Sequence, residues 1–200
     1  MDERDNKIIS ILSKDPEASQ HTIANHVGIT QPAVAMRIKR LKKTGLLQLK
    51  FELNLQKLGF QAAKIGVVAK DTTEVLRSFE GCPAFINGFV TTGNTNVSLL
   101  FAMEDLSSVQ CLVQRHLCRH PAVESTEESL IVSSSKGLSM PMDLNTTKKE
   151  VTPCGAICHS CSYYESKECL GCPATTYYRG SIWKTDGASR ESKVRERRRR

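Results

Sequence analysis

The chain has 200 residues, a net charge of +7 and eight cysteines. It contains no apolar run long enough to span a bilayer, and its opening residues, MDERDNKIIS, carry no secretion signal, so we expect a cytoplasmic protein. A disulfide framework is a poor use of eight cysteines in that reducing compartment, and metal binding or redox chemistry is favoured instead.

The positive charge lies at the two ends of the chain. Residues 1–50 carry nine basic and five acidic side chains, and residues 189–200 carry seven and two. Residues 51–150 are slightly acidic, with nine basic and eleven acidic side chains. Basic ends around a more acidic middle are typical of a nucleic-acid-binding module joined to a domain with another task.

The first fifty residues predict three helices. Apolar residues recur with helical spacing in 5–15, 19–29 and 30–47. Gly28 and Gly45 stand near the ends of the second and third segments, where helices commonly stop. Three helices in so short a stretch, the last two joined by a tight turn, predict a helix-turn-helix.

The third helix is predicted to have one apolar face and one basic face. Val34, Ile38 and Leu41 fall within a narrow arc that points to the core. The other side is suited to a DNA major groove, with base edges near its start and phosphates along its flank. The candidate DNA-binding residues are Thr30, Gln31, Met36, Arg37, Lys39, Arg40 and Lys43. A solvated helix in a protein-interaction bundle is the alternative that the pattern leaves open.

Three motifs stand in this region: Asp-x-x-Asp, then Ala-x-x-Val-Gly, then Ser/Thr-x-x-x-Val-x-x-Arg-Ile-x-x-Leu-x-x-x-Gly. They occupy Asp2, Asp5, Ala24, Val27, Gly28, Thr30, Val34, Arg37, Ile38, Leu41 and Gly45. With these three motifs the chain resembles the N-terminal winged helix-turn-helix of the Lrp/AsnC family of bacterial and archaeal transcription regulators. The resemblance implies that 20–42 binds double-stranded DNA, and that LLQLKFEL, 46–53, forms the wing and hinge. No catalytic constellation is visible, so we expect no enzyme.

Residues 51–135 predict a β-α-β-β-α-β domain, and the fold class is therefore α+β. The predicted strands are 62–70, 83–93, 96–105 and 122–135, and the predicted helices are 72–81 and 105–121. The same order forms the ferredoxin-like sandwich that follows the winged helix in Lrp/AsnC proteins. The resemblance implies a homodimer or a higher oligomer, with amino acids or similar effectors bound at subunit interfaces.

Gly93 and Asn96 are the candidate effector-binding residues. They belong to a Gly-Asn-Thr-Asn turn, where the family commonly has Gly-x-x-Asp. The missing carboxylate weakens the expected recognition of an effector's ammonium group. The alternative for Gly93 is a hairpin residue with positive φ. Cys82, Cys111 and Cys118, in the same domain, are expected to be buried or interface thiols.

A linker is predicted over 136–153, because Ser, Thr, Pro and Lys are frequent there. The following module, 154–185, has the cysteine spacing C-x3-C-x2-C-x7-C-x2-C. Two C-x2-C pairs are a strong signal for metal binding. The candidate ligands are Cys154, Cys158, Cys161, Cys169 and Cys172. The aromatic residues expected to pack around this site are Tyr163, Tyr164, Tyr177, Tyr178 and Trp183.

The identity of the metal stays open between two cofactors. A [4Fe–4S] iron–sulfur cluster is favoured, because a fifth cysteine exceeds the needs of one zinc site, and zinc is the alternative. Thiol chemistry without a metal is a third reading. The segment more weakly resembles small cysteine-rich modules, of presumed metal-binding type, from anaerobic bacteria and archaea.

The predicted function is sequence-specific transcription regulation of Lrp/AsnC type, with the C-terminal cysteines sensing redox state, oxygen or metal. One alternative is a regulator that responds to a small molecule and has a structural zinc knuckle. The other is a redox or electron-transfer module on a DNA-binding scaffold. The basic tail, 186–200, is predicted to be disordered.

Overall fold

A computed structural model describes residues 1–153 and 155–183. Cys154 and the predicted basic tail, 186–200, lie outside the described residues. The chain divides into two compact units, Met1–Phe51 and Glu52–Arg200. In the described ranges, no helix is long and apolar enough to cross a membrane.

The first unit consists of three helices: α1, Glu3–Lys14; α2, Gln20–Val27; and α3, Gln31–Lys43. Asp2 caps α1 in a reciprocal capping box with Asp5. Gly28 ends α2 at φ 71°, a left-handed conformation that favours glycine. The core of this unit is a small apolar cluster that includes Ile8, Leu12, Ile23, Ala24 and Val34.

The wing strand expected over 46–53 is not formed as predicted. Residues 46–52 have no strand pairing, and the Phe51 side chain is 99% exposed. Pairing begins at β1, Leu53–Asn54. A strand needs a neighbour to complete its backbone hydrogen bonds, and the described part of the chain supplies one only from Leu53 onward.

The second unit contains a four-stranded antiparallel sheet with two helices, in the predicted order β-α-β-β-α-β. The elements are β2, Gln61–Ala69; α4, Thr72–Arg77; β3, Phe85–Val90; β4, Val97–Met103; α5, Leu106–Leu112; and β5, Val123–Leu130. The strand order is β3-β4-β2-β5. The main core lies between sheet and helices and includes Ile65, Val75, Phe79, Leu99, Phe101 and Val109.

The second helix of this sandwich differs from the single helix predicted over 105–121. Regular α-helix ends at Leu112, and the chain continues as a wider π-helical turn, Val113–Leu117. The backbone N–H of Cys118 closes that turn by donating to the carbonyl oxygen of Val113, at 2.9 Å. Such wide turns commonly occur where a helix meets a functional site.

The segment predicted as a linker, 136–153, is packed instead. Its strand β6, Ser139–Met140, pairs with β1, and Leu138 is buried. The apolar residues that pack with it are Met140, Met142 and Leu144. Together with Leu138 they recur at every second position, which is the period of a strand. The alternation is hard to see in the sequence because Ser and Thr are frequent around it.

The C-terminal residues dock onto the sandwich through a second apolar cluster. Trp183, 1% exposed, packs edge-on against Phe60 with ring centroids 4.9 Å apart. The Lys148 ammonium donates to the carbonyl oxygen of Trp183 at 2.7 Å. The Glu104 carboxylate accepts hydrogen bonds from the backbone N–H and the hydroxyl of Ser181. The cysteine-rich segment is therefore attached at both of its ends to the same unit.

We expect Glu104→Ala to loosen this docking. It removes the acceptor of the Ser181 hydrogen bonds, at a cost of about 1–3 kcal/mol. Trp183 is the sole tryptophan of the chain, so a red shift of its fluorescence emission measures its exposure. The matched control, Glu124→Ala, removes an exposed carboxylate from β5. Equal emission spectra for the two variants would contradict the anchoring role of Glu104.

Candidate functional site

Helix α3 presents most of the predicted DNA-binding residues to solvent. Gln31, Met36, Lys39, Arg40 and Lys43 are all exposed. Thr30 occupies the N-cap position of this helix without making a side-chain capping hydrogen bond. The exposed side of α3 thus combines an amide near its start with three cations farther along, which suits contact with a polyanion.

Arg37, one of the predicted DNA-binding residues, joins α3 to α1 through its guanidinium. Its Nη1 donates to Asp2 Oδ2 at 2.7 Å and to Asp5 Oδ1 at 2.8 Å. The Asp5 carboxylate is fully buried and also accepts from Arg40 Nη2, at 2.6 Å. Arg37 is only 21% exposed, whereas Arg40 is 56% exposed. Arg37 orients the helix, and Arg40 combines that role with an exposed charge.

This ion-pair network makes the first unit acid-sensitive. The Asp5 backbone N–H and the Arg37 guanidinium lower the pKa of Asp2 to about 2. Similar contacts, the Asp2 backbone N–H first among them, lower the pKa of Asp5. Because the folded state favours the ionised carboxylates, their contribution to stability is present above about pH 4, the pKa range of an unfolded Asp, and is lost as the pH falls towards 2.

We therefore expect helicity to fall between about pH 4 and pH 2, and Asp2→Asn to make that fall shallower. Circular dichroism at 222 nm across the titration measures it. Glu17→Gln, which removes an exposed carboxylate beyond the end of α1, is the control. A fall of the same size in Asp2→Asn and the unchanged chain would show that this network does not govern acid unfolding.

The two candidate effector-binding residues have structural roles. Asn96 Oδ1 accepts from the backbone N–H of Ala69 at 2.8 Å, and its Nδ2 donates to the carbonyl oxygen of Ala69 at 2.7 Å. The amide is thus engaged through both of its ends, which a carboxylate could not achieve. Gly93 has φ 118°, as a tight hairpin turn requires. These contacts tie the β3–β4 hairpin to the end of β2.

A cavity of about 70 Å³ lies in the second unit, between α5 with its π-helical extension and the cysteine-rich segment. Four of the five candidate ligands line it: Cys158, Cys161, Cys169 and Cys172. The fifth, Cys154, lies outside the described residues. Cys82 and Cys111 of the sandwich line the same cavity. Six cysteines therefore lie on the wall of one cavity, and two of them, Cys82 and Cys111, were predicted to be buried or interface thiols of the sandwich.

The second cysteine pair forms a tight turn. Gly171, at φ 81°, directs its backbone N–H to Cys169 Sγ at 3.4 Å. The N–H of Arg179 donates to the carbonyl oxygen of Leu170 at 2.7 Å, and its guanidinium stacks 3.6 Å from the Tyr164 ring centroid. The first pair is turned by a hydrogen bond from the Cys161 N–H to the Cys158 carbonyl oxygen, at 3.0 Å.

Comparisons with known proteins connect this architecture to a group of regulators. Residues 1–48 match the family described as winged helix-turn-helix DNA-binding. The regulatory protein AsnC of Haemophilus influenzae is 23% identical over 132 residues, which cover 64% of this chain and 88% of that protein. The regulator LrpA of Pyrococcus horikoshii is 36% identical over 87 residues, 40% of this chain and 62% of LrpA.

A solved structure agrees at the level of the fold. The structure of Escherichia coli AsnC aligns with a TM-score of 0.62 at 16% identity and covers 68% of this chain and 94% of that chain. The chain is therefore similar in sequence to transcription regulators of the Lrp/AsnC type, and it shares their fold. It is not an enzyme. Roughly a third of the chain lies outside the match to E. coli AsnC.

Burial keeps two thiols of this cavity, Cys111 and Cys169, in the protonated form. Burial raises the pKa of Cys111 to about 12, and the neighbouring Cys169 and Glu168 add to the effect. Burial also raises the pKa of Cys169. Both thiols are therefore neutral at pH 7 in the chain alone, and a bound cation would be needed to hold them as thiolates.

The donor atoms in the cavity decide which groups it could hold. Among residues 1–153 and 155–183, no three His, Cys, Asp or Glu side chains are placed to hold one metal ion together. The sulfur atoms are nevertheless all soft ligands, which suit iron–sulfur clusters and zinc. Tyr163 and Tyr164 line the cavity as expected, but Trp183 and Tyr178 pack on the sandwich instead.

Proposed function

We propose that this Lrp/AsnC-type regulator binds an operator as a homodimer or higher oligomer through α3, and that its DNA affinity changes with redox state, oxygen or metal. The proposed cofactor is a [4Fe–4S] cluster held by the C-terminal cysteines. The observation that carries the sensing part is the cavity that Cys158, Cys161, Cys169 and Cys172 line together with two cysteines of the sandwich. It makes the cysteines part of the unit that the family uses for assembly.

The DNA-binding part is supported by the exposed side of α3. Gln31 lies at the helix start, where an amide suits the edge of an adenine. Lys39 and Lys43 are exposed and one turn apart, which suits successive phosphate contacts. Arg37 and Asp5 hold α3 against α1 and so set its orientation.

We expect the double variant Lys39→Ala/Lys43→Ala to weaken binding to all DNA sequences alike. Loss of two phosphate contacts reduces the slope of log affinity against log salt by about 2. Titrations at several salt concentrations, on a selected operator and on unrelated DNA, measure it. Lys57→Ala, an exposed lysine of the second unit, is the control. An unchanged slope in the double variant would show that α3 is not the docking helix.

The cluster is supported by the number and kind of donors. A thiolate donor set with a C-x3-C-x2-C run suits a cluster, which spreads its ligands over several irons, whereas a single zinc ion needs four close sulfur atoms. A cavity of about 70 Å³ also exceeds the room that one water-sized body requires. When bound, a cluster would supply one-electron redox chemistry and sensitivity to oxygen. Zinc is the alternative occupant.

The residues of this chain would transmit a change at the thiols to α5. The hydroxyl of Ser108 accepts from the backbone N–H of Leu170 at 3.1 Å, so the turn between Cys169 and Cys172 is attached to that helix. Val109 and Leu112, on the same helix, belong to the sandwich core. A rearrangement of the turn therefore acts directly on the packing of the sandwich.

The test begins with protein purified without oxygen, assayed for iron, zinc and acid-labile sulfide and by ultraviolet–visible absorption. DNA affinity is then measured on a sequence selected from a random pool, using the protein as purified, after air oxidation and after metal removal. Iron with sulfide, and at least a tenfold difference in affinity between states, is the expected result. Equal affinity in all three states would overturn the sensing proposal. Zinc without sulfide would replace the proposed cofactor.

A further inference from the structure

We infer that Cys111, on α5 of the sandwich, is a ligand of the metal that the cysteine-rich segment binds. The inference rests on the proposed function and deepens it. It makes the metal site a shared one, to which the sandwich and the segment both contribute cysteines.

Cys111 lies on α5 outside the main core of the sandwich. Val109, Leu112 and Val113 turn towards the main core, whereas Cys111 is buried, at 6% exposure, without belonging to that core. What covers it is the cysteine-rich segment: its Sγ lies 3.7 Å from the carbonyl oxygen of Glu168, to which it donates. The thiol is therefore enclosed at the boundary between helix and segment.

Helix α5 holds the second cysteine turn at two neighbouring points. Ser108 lies one helical turn before Cys111 and is 1% exposed. Its hydroxyl accepts from the Leu170 N–H at 3.1 Å and donates to Asp105 Oδ2 at 3.0 Å. Leu170 follows Cys169 directly in the chain. This contact therefore holds the Cys169 side chain close enough to Cys111 for the two thiols to interact.

The lining of the cavity is rich in sulfur atoms. Cys111 shares the cavity with four cysteines of the segment, and cysteine thiolates are preferred ligands of a soft metal. A structural core thiol would be surrounded by apolar side chains instead. Cys118, on the same stretch of chain, shows the contrast: it is exposed and lines no part of this cavity.

The experiment uses the full-length chain with Cys111→Ser and Cys111→Ala, and Cys118→Ser as the matched control. Each protein is loaded without oxygen, with iron and sulfide in one series and with zinc alone in another. The metal retained per chain is measured against increasing concentrations of a chelator. We expect both Cys111 variants to hold metal at least about tenfold more weakly, since even indirect neighbours of a metal contribute that much. Cys118→Ser should match the unchanged protein.

Ser108→Ala separates ligation from docking, because it removes the Leu170 contact and keeps every thiol. Trp183 emission, recorded for each variant, reports whether the C-terminal segment remains docked. If the Cys111 variants retain metal like the control, or if Ser108→Ala loses it as completely as they do, the inference is overturned. If the unchanged chain binds neither iron–sulfur nor zinc, the proposed cofactor fails as well, and this outcome is distinct from the other two.

Discussion

Replacing Gly171 with alanine is expected to lower metal retention at least about tenfold. Gly171 has φ 81°, and a Cβ there would lie 2.8 Å from the carbonyl oxygen of Tyr177 and 3.1 Å from Tyr164 Cε2. The backbone oxygen of Tyr177 cannot move unless the chain segment that follows the second cysteine pair moves with it. The turn must therefore open, and the hydrogen bond from the Gly171 N–H to Cys169 Sγ is lost with it. Metal content after chelator challenge is the measurement.

Gly59→Ala is a close control for this change. Gly59 has φ 82°, so alanine there carries the same left-handed backbone cost, about 1–2 kcal/mol, but its Cβ would meet nothing within 4 Å. We expect Gly59→Ala to lower thermal stability slightly and to keep the metal. A Gly171→Ala protein that retains metal as well as Gly59→Ala would show that the tight turn is not needed for binding.

Asp5→Ala is expected to reduce DNA affinity more than tenfold for every sequence and to lower the thermal midpoint of the first unit. Asp5 is fully buried and is the shared partner of Arg37 and Arg40. Its loss leaves the guanidinium of Arg37, 21% exposed, without its buried partner, which is strongly destabilising. Helix α3 then loses its fixed orientation on α1. Binding titrations and thermal unfolding followed at 222 nm measure the two effects.

Glu3→Ala is the matched control on the same helix. Its carboxylate pairs with Lys7 at 2.8 Å, but the pair is well exposed, and such pairs contribute little. Asp5→Asn keeps one acceptor oxygen and should retain part of the affinity. Equal behaviour of Asp5→Ala and Glu3→Ala would show that the buried network does not position α3.

The basic face of α3 was predictable from the sequence. Which of its basic residues are exposed, and which pair with carboxylates of α1, was not. Helical periodicity separated Lys39 and Lys43 from the core side, because the two faces of a helix differ by position alone. The pairing of Arg37 with Asp2 and Asp5 spans more than thirty residues of chain. The Asp-x-x-Asp motif was recognised as a family feature, and only the packing of α1 on α3 gives it a physical role.

In the C-terminal region, local cysteine spacing predicted part of the candidate site, and a contact between distant residues supplied the rest. Cysteine spacing located a group of candidate ligands, because ligands of one site must lie close together and short spacings achieve this locally. Spacing could not include Cys111, which lies 57 residues before Glu168, the residue it contacts. The alternation of Leu138, Met140, Met142 and Leu144 was a local signal for packing. The many Ser, Thr, Pro and Lys residues around it led to the prediction of a linker instead.

The sequence by itself determined the order of helices and strands, the winged helix-turn-helix resemblance and the identity of the C-terminal cysteines as a group. These properties depend on periodicity and spacing over a few residues, which the chain carries locally. Only the tertiary structure decided that 136–153 is packed, that Asn96 is engaged on both sides by Ala69, and that sandwich thiols meet the cysteine-rich segment. These depend on which distant surfaces bury one another, because burial and hydrogen-bond completion are settled between segments and not within them.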